Sequence, residues 1–178
     1  MNTNATSLIE TRWPFLAADG PPVPYNTLRA DVQAALGQRG VRPQDFSHFG
    51  IVVKDARRTL VELAKQDPAW FGVEPVWGAA FECDIARQII DGVEVELIQP
   101  VGDSFLRDGL QQHGEGVQHV SFTVGDLEGT LHKLMESDGK MVHPDIVRGL
   151  HGRIAFVRLP LPVRADVELC EEAGGFIG

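Results

Sequence analysis

One pattern occurs twice in this chain. S-H-F-G-I-V-V-K-D-A-R-R-T-L-V-E-L begins at Ser47, and Q-H-V-S-F-T-V-G-D-L-E-G-T-L-H-K-L begins at Gln118. His48 aligns with His119, Val53 with Val124, Asp55 with Asp126, Thr59 with Thr130 and Leu63 with Leu134, each pair 71 residues apart. A second match, V-E-L-I at 95–98 and V-E-L-C at 167–170, sets Glu96 and Glu168 72 residues apart. Units this short cannot each bury a full hydrophobic face, so the two copies must pack side by side. Each copy opens on a histidine and closes on a glutamate. Two histidines and two carboxylates placed by one duplication point to a shared metal site.

The local patterns give each copy the order β-α-β-β-β. Residues 46–53 read as a strand, and Asp55 can cap a helix that turns Ala56, Leu60, Leu63 and Ala64 inward. Strands are expected at 73–77, 80–86 and 93–99, with Asp91-Gly92 as a hairpin turn. The second copy runs as strand 118–124, helix 126–137, and strands near 140–142, 153–159 and 165–171. A short helix near Ser104–Gln112 joins the halves, and Gly139 can end the second helix. The fold class is therefore α+β, two βαβββ modules paired about a pseudo-twofold axis around a metal-lined cleft. The divisions are an N-terminal arm with a short helix at 1–45, module one at 46–100, a connector at 101–117, module two at 118–172 and a tail at 173–178. Residues 1–25, with Trp13, Phe15, Tyr25 and P-P-V-P, read as an irregular arm outside the core. Asn26 or Thr27 can cap a helix carrying Leu28, Val32, Ala35 and Leu36.

Strand side chains alternate faces, so His48 and Glu96 share the polar face of module one, and His119 and Glu168 that of module two. If the sheets join head to head, the four meet. Such an N₂O₂ set suits divalent zinc, cobalt, nickel, manganese or iron.

The formal charge of −9 and the lack of a basic stripe exclude a nucleic-acid-binding role. No apolar run reaches membrane-spanning length and residues 1–25 lack a signal-peptide pattern, so neither membrane nor export is expected and the compartment reads as cytoplasmic. The two cysteines, Cys83 and Cys170, sit in apolar segments and are expected to be free and buried.

The segments S-H-F-G-I-V-V-K-D, V-E-L-I-Q-P-V-G-D-S, H-G-E-G-V-Q-H-V-S-F-T-V-G-D-L, L-H-G-R-I-A-F and V-E-L-C-E resemble the vicinal oxygen chelate (glyoxalase, bleomycin resistance and dioxygenase) superfamily, methylmalonyl-CoA epimerases most of all. The resemblance implies a glyoxalase-like fold and one divalent metal ion (cobalt, zinc, nickel, manganese or magnesium) on His48, Glu96, His119 and Glu168. It implies a metal-dependent epimerase or isomerase that removes a proton alpha to a carbonyl. Glu168 and Glu82 would be the catalytic acid–base pair, with Asp84 as a substitute for Glu82. His151 and Arg153, with Arg148 nearby, would contact the substrate. The expected partner is a small molecule, an acyl-CoA thioester among the candidates, and the expected assembly is a homodimer. The same ligand set also serves lactoylglutathione lyase chemistry, and non-catalytic binding proteins share the fold. The stretches L-A-K-Q-D-P-A-W-F-G and P-L-P-V-R-A-D depart from the epimerase pattern, which leaves room for a different substrate.

Overall fold

Alternation of apolar and polar residues on either side of the repeated histidines produces the two central strands, β1 (Asp45–Val52) and β5 (Gly116–Thr123). The computed structural model describes residues 5–14 and 23–172, with side chains from Leu8 onward. β1 and β5 pair antiparallel at the middle of one nine-stranded sheet. On one side, β1 runs parallel to β4 (Val93–Pro100), followed by β3 (Cys83–Ile90) and β2 (Val76–Gly78). On the other, β5 runs parallel to β9 (Asp166–Glu172), then β8 (Gly152–Arg158), with β6 (Lys140–Met141) and β7 (Val147–Arg148) both on β8.

The register of the β1–β5 seam obeys the 71-residue repeat. Phe46 faces Phe122 and Ile51 faces Val117, two pairs that exchange when each residue is shifted by one repeat. Phe49 facing Val120 maps onto itself, so the pseudo-twofold axis passes between those two residues. The seam is irregular on each side of that pair, with one extra residue beside His48 and one beside His119. Bulges of this kind re-aim side chains near functional sites.

Both repeat helices begin where the sequence places them. Asp55 accepts from the Arg58 amide to start α3 (Ala56–Ala64), and Asp126 accepts from the Gly129 amide to start α5 (Leu127–Ser137). Ser104 caps the connecting α4 (Phe105–His113). Asp91 and Gly92 have φ of 51° and 78°, the pair of left-handed residues that a two-residue hairpin requires. α3 and α5 cover the apolar face of the sheet, burying Leu60, Leu63, Leu131 and Leu134 against Ile51, Leu97, Val120 and Leu169.

The N-terminal segment corrects the expectation of an irregular arm. Residues Ala5–Arg12 form α1 and Tyr25–Gln38 form α2. Ile9, Trp13, Tyr25, Leu28, Val32 and Leu36 are buried in the same core as the repeat helices. Tyr25 donates from its hydroxyl to the Trp13 carbonyl at 2.8 Å and meets the Phe49 ring at 4.6 Å. Aromatic residues beside prolines suggested a loop because the pattern carries little helical periodicity. Their burial comes from the sheet surface they cover. The expected cap at Asn26 or Thr27 is also displaced: the first amide of α2, at Tyr25, is taken up by Glu10 from α1 at 2.8 Å. Phe15 and the first two residues of P-P-V-P lie outside the described residues.

β3 begins at Cys83, three residues later than expected, because Glu82 adopts a left-handed φ of 47° and turns the chain there. Cys83 and Cys170 are free and buried. Among the described residues no helix is long and apolar enough to cross a membrane.

Candidate metal centre

His48 on β1, Glu96 on β4, His119 on β5 and Glu168 on β9 converge on the face of the sheet opposite the helices. Their residue exposures are 1%, 5%, 1% and 4%. The two imidazoles meet with Nε2 atoms 3.2 Å apart. His48 Nε2 lies 3.5 Å from Glu96 Oε2 and 3.5 Å from Glu168 Oε1, and His119 Nε2 lies 3.8 Å from Glu168 Oε2. Ligand atoms of His48, Glu96 and His119 all fall within 4.8 Å of one another. The repeat therefore brings its four residues to one place.

Burial sets the protonation of the group. It pushes His119 down to about 3, and pushes His48 well below the usual 6.5, helped by the neighbouring His119, His151 and Arg87. Both rings are neutral near pH 7, so their approaches to carboxylates at 3.5 and 3.8 Å are not ion pairs. Burial, with the nearby Glu96 charge, pushes Glu168 up to about 8, while the Ser121 hydroxyl opposes this by donating to Glu168 Oε1 at 2.7 Å. Two neutral imidazoles and two buried carboxylates form a donor set that fits a divalent cation.

The tautomer of His119 is set by a chain of contacts. Arg158 donates to both oxygens of Asp166, at 2.8 and 3.1 Å, and Asp166 accepts from Gln118 Nε2 at 2.8 Å. That turns Gln118 Oε1 toward His119 Nδ1, at 2.6 Å. An amide oxygen can only accept, so Nδ1 carries the proton and Nε2 presents its lone pair to the site. Gln118→Leu, which removes the acceptor, is expected to weaken zinc binding about 10- to 100-fold by calorimetry. Unchanged affinity would show that the chain does not position the ring.

His151, on the turn between β7 and β8, stacks on the His48 ring at 5.2 Å. Its Nε2 is 3.3 Å from Glu94 Oε1 and 3.2 Å from Glu96 Oε1, and these hydrogen-bonded carboxylates push its pKa up to about 10. It faces the cleft as a cation.

Two expected site residues lie elsewhere. Glu82 is exposed and outside the cleft lining; its left-handed backbone lays the carboxylate over Gly102, whose position could not accept a Cβ. Arg153 sits on the opposite face of β8, bound to Glu171 at 2.8 Å and to Glu128, because strand alternation gives the cleft face to Ile154 and Phe156. Arg148 is in the cleft lining. Asp84 is not.

Residues that sequence reasoning missed include Gln118, Ser121, Glu94 and Gly50. Gly50 pairs with His119 across the seam, and a Cβ there would lie 2.0–2.5 Å from three atoms of the imidazole ring. A glycine inside an otherwise β-branched strand was the available signal.

The sequence profile of the Glyoxalase/Bleomycin resistance protein/Dioxygenase superfamily matches residues 47–156, a span containing His48, Glu96, His119 and His151. The chain belongs to this superfamily. Several solved structures share the architecture. A hypothetical protein from Bacillus halodurans aligns with a TM-score of 0.60 at 21% identity, over 75% of this chain and 98% of that one. Methylmalonyl-CoA epimerase from Mycobacterium tuberculosis aligns at 0.58 with 22% identity, over 74% and 89%. A variant of the Streptomyces coelicolor epimerase, in complex with 2-nitronate-propionyl-CoA, aligns at 0.55 with 21% identity, over 72% and 98%. At these identities the likeness establishes the superfamily fold. A comparison with curated protein sequences finds no significant match.

The buried ionisable groups make the metal-free protein sensitive to pH in both directions. Glu168 has a folded pKa raised above its usual 4.5, so its contribution to stability is complete below that value and is lost as pH rises through about 8. The two histidines have depressed values, so their contribution is present above 6.5 and is lost as pH falls below it. Urea midpoints of metal-free protein are expected to peak near pH 6 and to fall on both sides. A flat profile from pH 5 to 9 would mean that Glu168 and the two histidines are solvated.

Proposed function

We propose that the protein is a metal-dependent isomerase of the epimerase type, moving a proton on the carbon beside a carbonyl. The observation that carries this reading is the convergence of two neutral histidines and two buried carboxylates at the floor of one cleft. His48, Glu96, His119 and Glu168 would hold the ion. A divalent cation there polarises a substrate carbonyl and so acidifies the neighbouring C–H.

Glu168 is the proton-transfer group of this reading. Its carboxylate is buried, oriented by Ser121, and more basic than an ordinary glutamate. With Glu82 outside the cleft, the opposite face of the substrate is left to His151. That imidazolium lines the cleft and can deliver a proton from the side of Glu96.

A variant of the Streptomyces coelicolor epimerase is seen with 2-nitronate-propionyl-CoA, and a methylmalonyl-CoA epimerase of this fold is seen with methylmalonyl-CoA. Acyl-CoA thioesters are therefore the substrates proposed first. A second reading, isomerisation of a glutathione hemithioacetal, is favoured by one feature: the described cleft carboxylates, Glu96 and Glu168, both lie on its floor. The test is alpha-proton exchange in deuterated water, with and without added cobalt, across acyl-CoA thioesters including methylmalonyl-CoA and across hemithioacetals. Metal-dependent exchange confined to the thioesters supports the epimerase reading. Exchange confined to hemithioacetals replaces it with the lyase reading, and no exchange in either class refutes both.

A further inference from the structure

The cleft above the four residues holds about 420 Å³, within the usual span for sites that enclose a small organic ligand. Its walls are a second hydrophobic cluster on the concave side of the sheet, separate from the core under the helices. Phe81, Ile85, Ile98, Leu106, Ile154 and Phe156 line it.

This apolar surface begins at the floor itself. The Phe156 ring meets the His119 ring edge-on at 5.1 Å, and continues into Phe105 at 4.9 Å and Phe81 at 5.5 Å. A substrate gripped beside His119 therefore has hydrocarbon contacts within one or two bonds of its oxygen atoms.

Charge is sparse away from the floor. Beyond the four residues and His151, Arg148 is the one charged side chain among the described residues of the lining. Arg148 pairs with Arg153 in the register of β7 and β8, yet lines the cleft while Arg153 is held by Glu171 outside it. No described lysine lines the cleft. A short acyl group with its own carboxylate could set that charge against Arg148 or His151, but would leave most of the apolar walls unfilled.

We propose that the substrate carries, next to its metal-binding oxygens, an uncharged hydrocarbon body, an alkyl chain or an aryl ring, that lies on the Phe156 shelf. This rests on the metal-dependent reading above and specifies the substrate class of the same cleft. The body can arrive as a thioester or as a free alpha-keto acid, since both present a carbonyl oxygen and an acidic C–H.

The probes are hydroxamates, which supply two adjacent oxygens and a variable tail, titrated spectroscopically into cobalt-loaded full-length protein. From aceto- to hexanohydroxamate, affinity is expected to rise about three- to fourfold per methylene, roughly 100-fold across the series. Phenylacetohydroxamate should bind in the upper part of that range. The monohydroxamate of malonic acid should bind no more tightly than acetohydroxamate. Ile85→Ser, a change at a partly buried wall position, should cut the hexano-to-aceto ratio at least threefold. A series flat within threefold, tightest binding by the carboxylated probe, or an unchanged ratio in the Ile85 variant overturns the proposal while leaving the metal site standing. Failure of cobalt to bind at all refutes the underlying reading instead, and the substrate class with it. Alpha-proton exchange in phenylacetyl-CoA, compared with phenylpyruvate, tells thioester from free acid. Exchange faster with methylmalonyl-CoA than with either, or none with either, overturns the proposal.

Discussion

Adding a single methyl group at Gly50 is expected to dismantle the candidate metal centre. The His119 ring lies over the Gly50 backbone, where an alanine Cβ would come within 2.0–2.5 Å of three ring atoms. The ring has little room to yield, because Phe156 packs against it and Gln118 holds Nδ1. Gly50→Ala should therefore lower zinc or cobalt affinity by more than about 100-fold, beyond the usual effect of losing a partner that only orients a ligand. Overpacking should also destabilise the fold by about 1–3 kcal/mol. Gly37→Ala on α2 is the control, since nothing lies within 4 Å of its added Cβ; it should keep wild-type metal affinity and gain slightly in stability. Calorimetric metal titration and thermal unfolding of both variants check the pair. A Gly50→Ala protein binding metal within tenfold of wild type would mean His119 is not needed in its observed position.

Replacing Glu168 with glutamine should separate chemistry from architecture. The amide has the size of the carboxylate, and its oxygen can still accept from the Ser121 hydroxyl that Glu168 now accepts from. What is lost is the basic group and one anionic ligand, so exchange is read at metal concentrations that keep the site loaded. Proton transfer should fall by about 10²- to 10⁴-fold, the usual contribution of a positioned general base. In the metal-free variant the decline in urea midpoint between pH 7 and 8 should also be shallower, because Glu168 no longer titrates while His151 still does. Exchange within fivefold of wild type, with the metal bound, would remove Glu168 from the proton-transfer role.

The main architecture was legible because the duplication constrained it. Two matched histidines and two matched glutamates on alternating strands could converge in few ways, and both helix starts were marked by Asp55 and Asp126. Legibility ended where long-range packing decides. Trp13 and Tyr25 looked like loop aromatics because the sheet surface that buries them is made by strands far along the chain. Glu82 fell on the expected strand, but its left-handed backbone ends that possibility, and no local residue pattern announced it. Arg153 and Arg148 were indistinguishable by sequence; Arg153 is tied to Glu171 and Glu128, whereas Arg148 lines the cleft. Gln118 adjoins a histidine in the repeat, yet its role depends on Asp166 and Arg158, some 40 and more residues away.

The seam between β1 and β5 gives the four residues one more property. One imidazole and one carboxylate come from each side of it, so an ion held among them would act as a clasp between two halves otherwise joined edge to edge. Prising the halves apart would then require breaking coordination, and strength of ion capture would translate directly into resistance of the whole sheet to splitting along its midline.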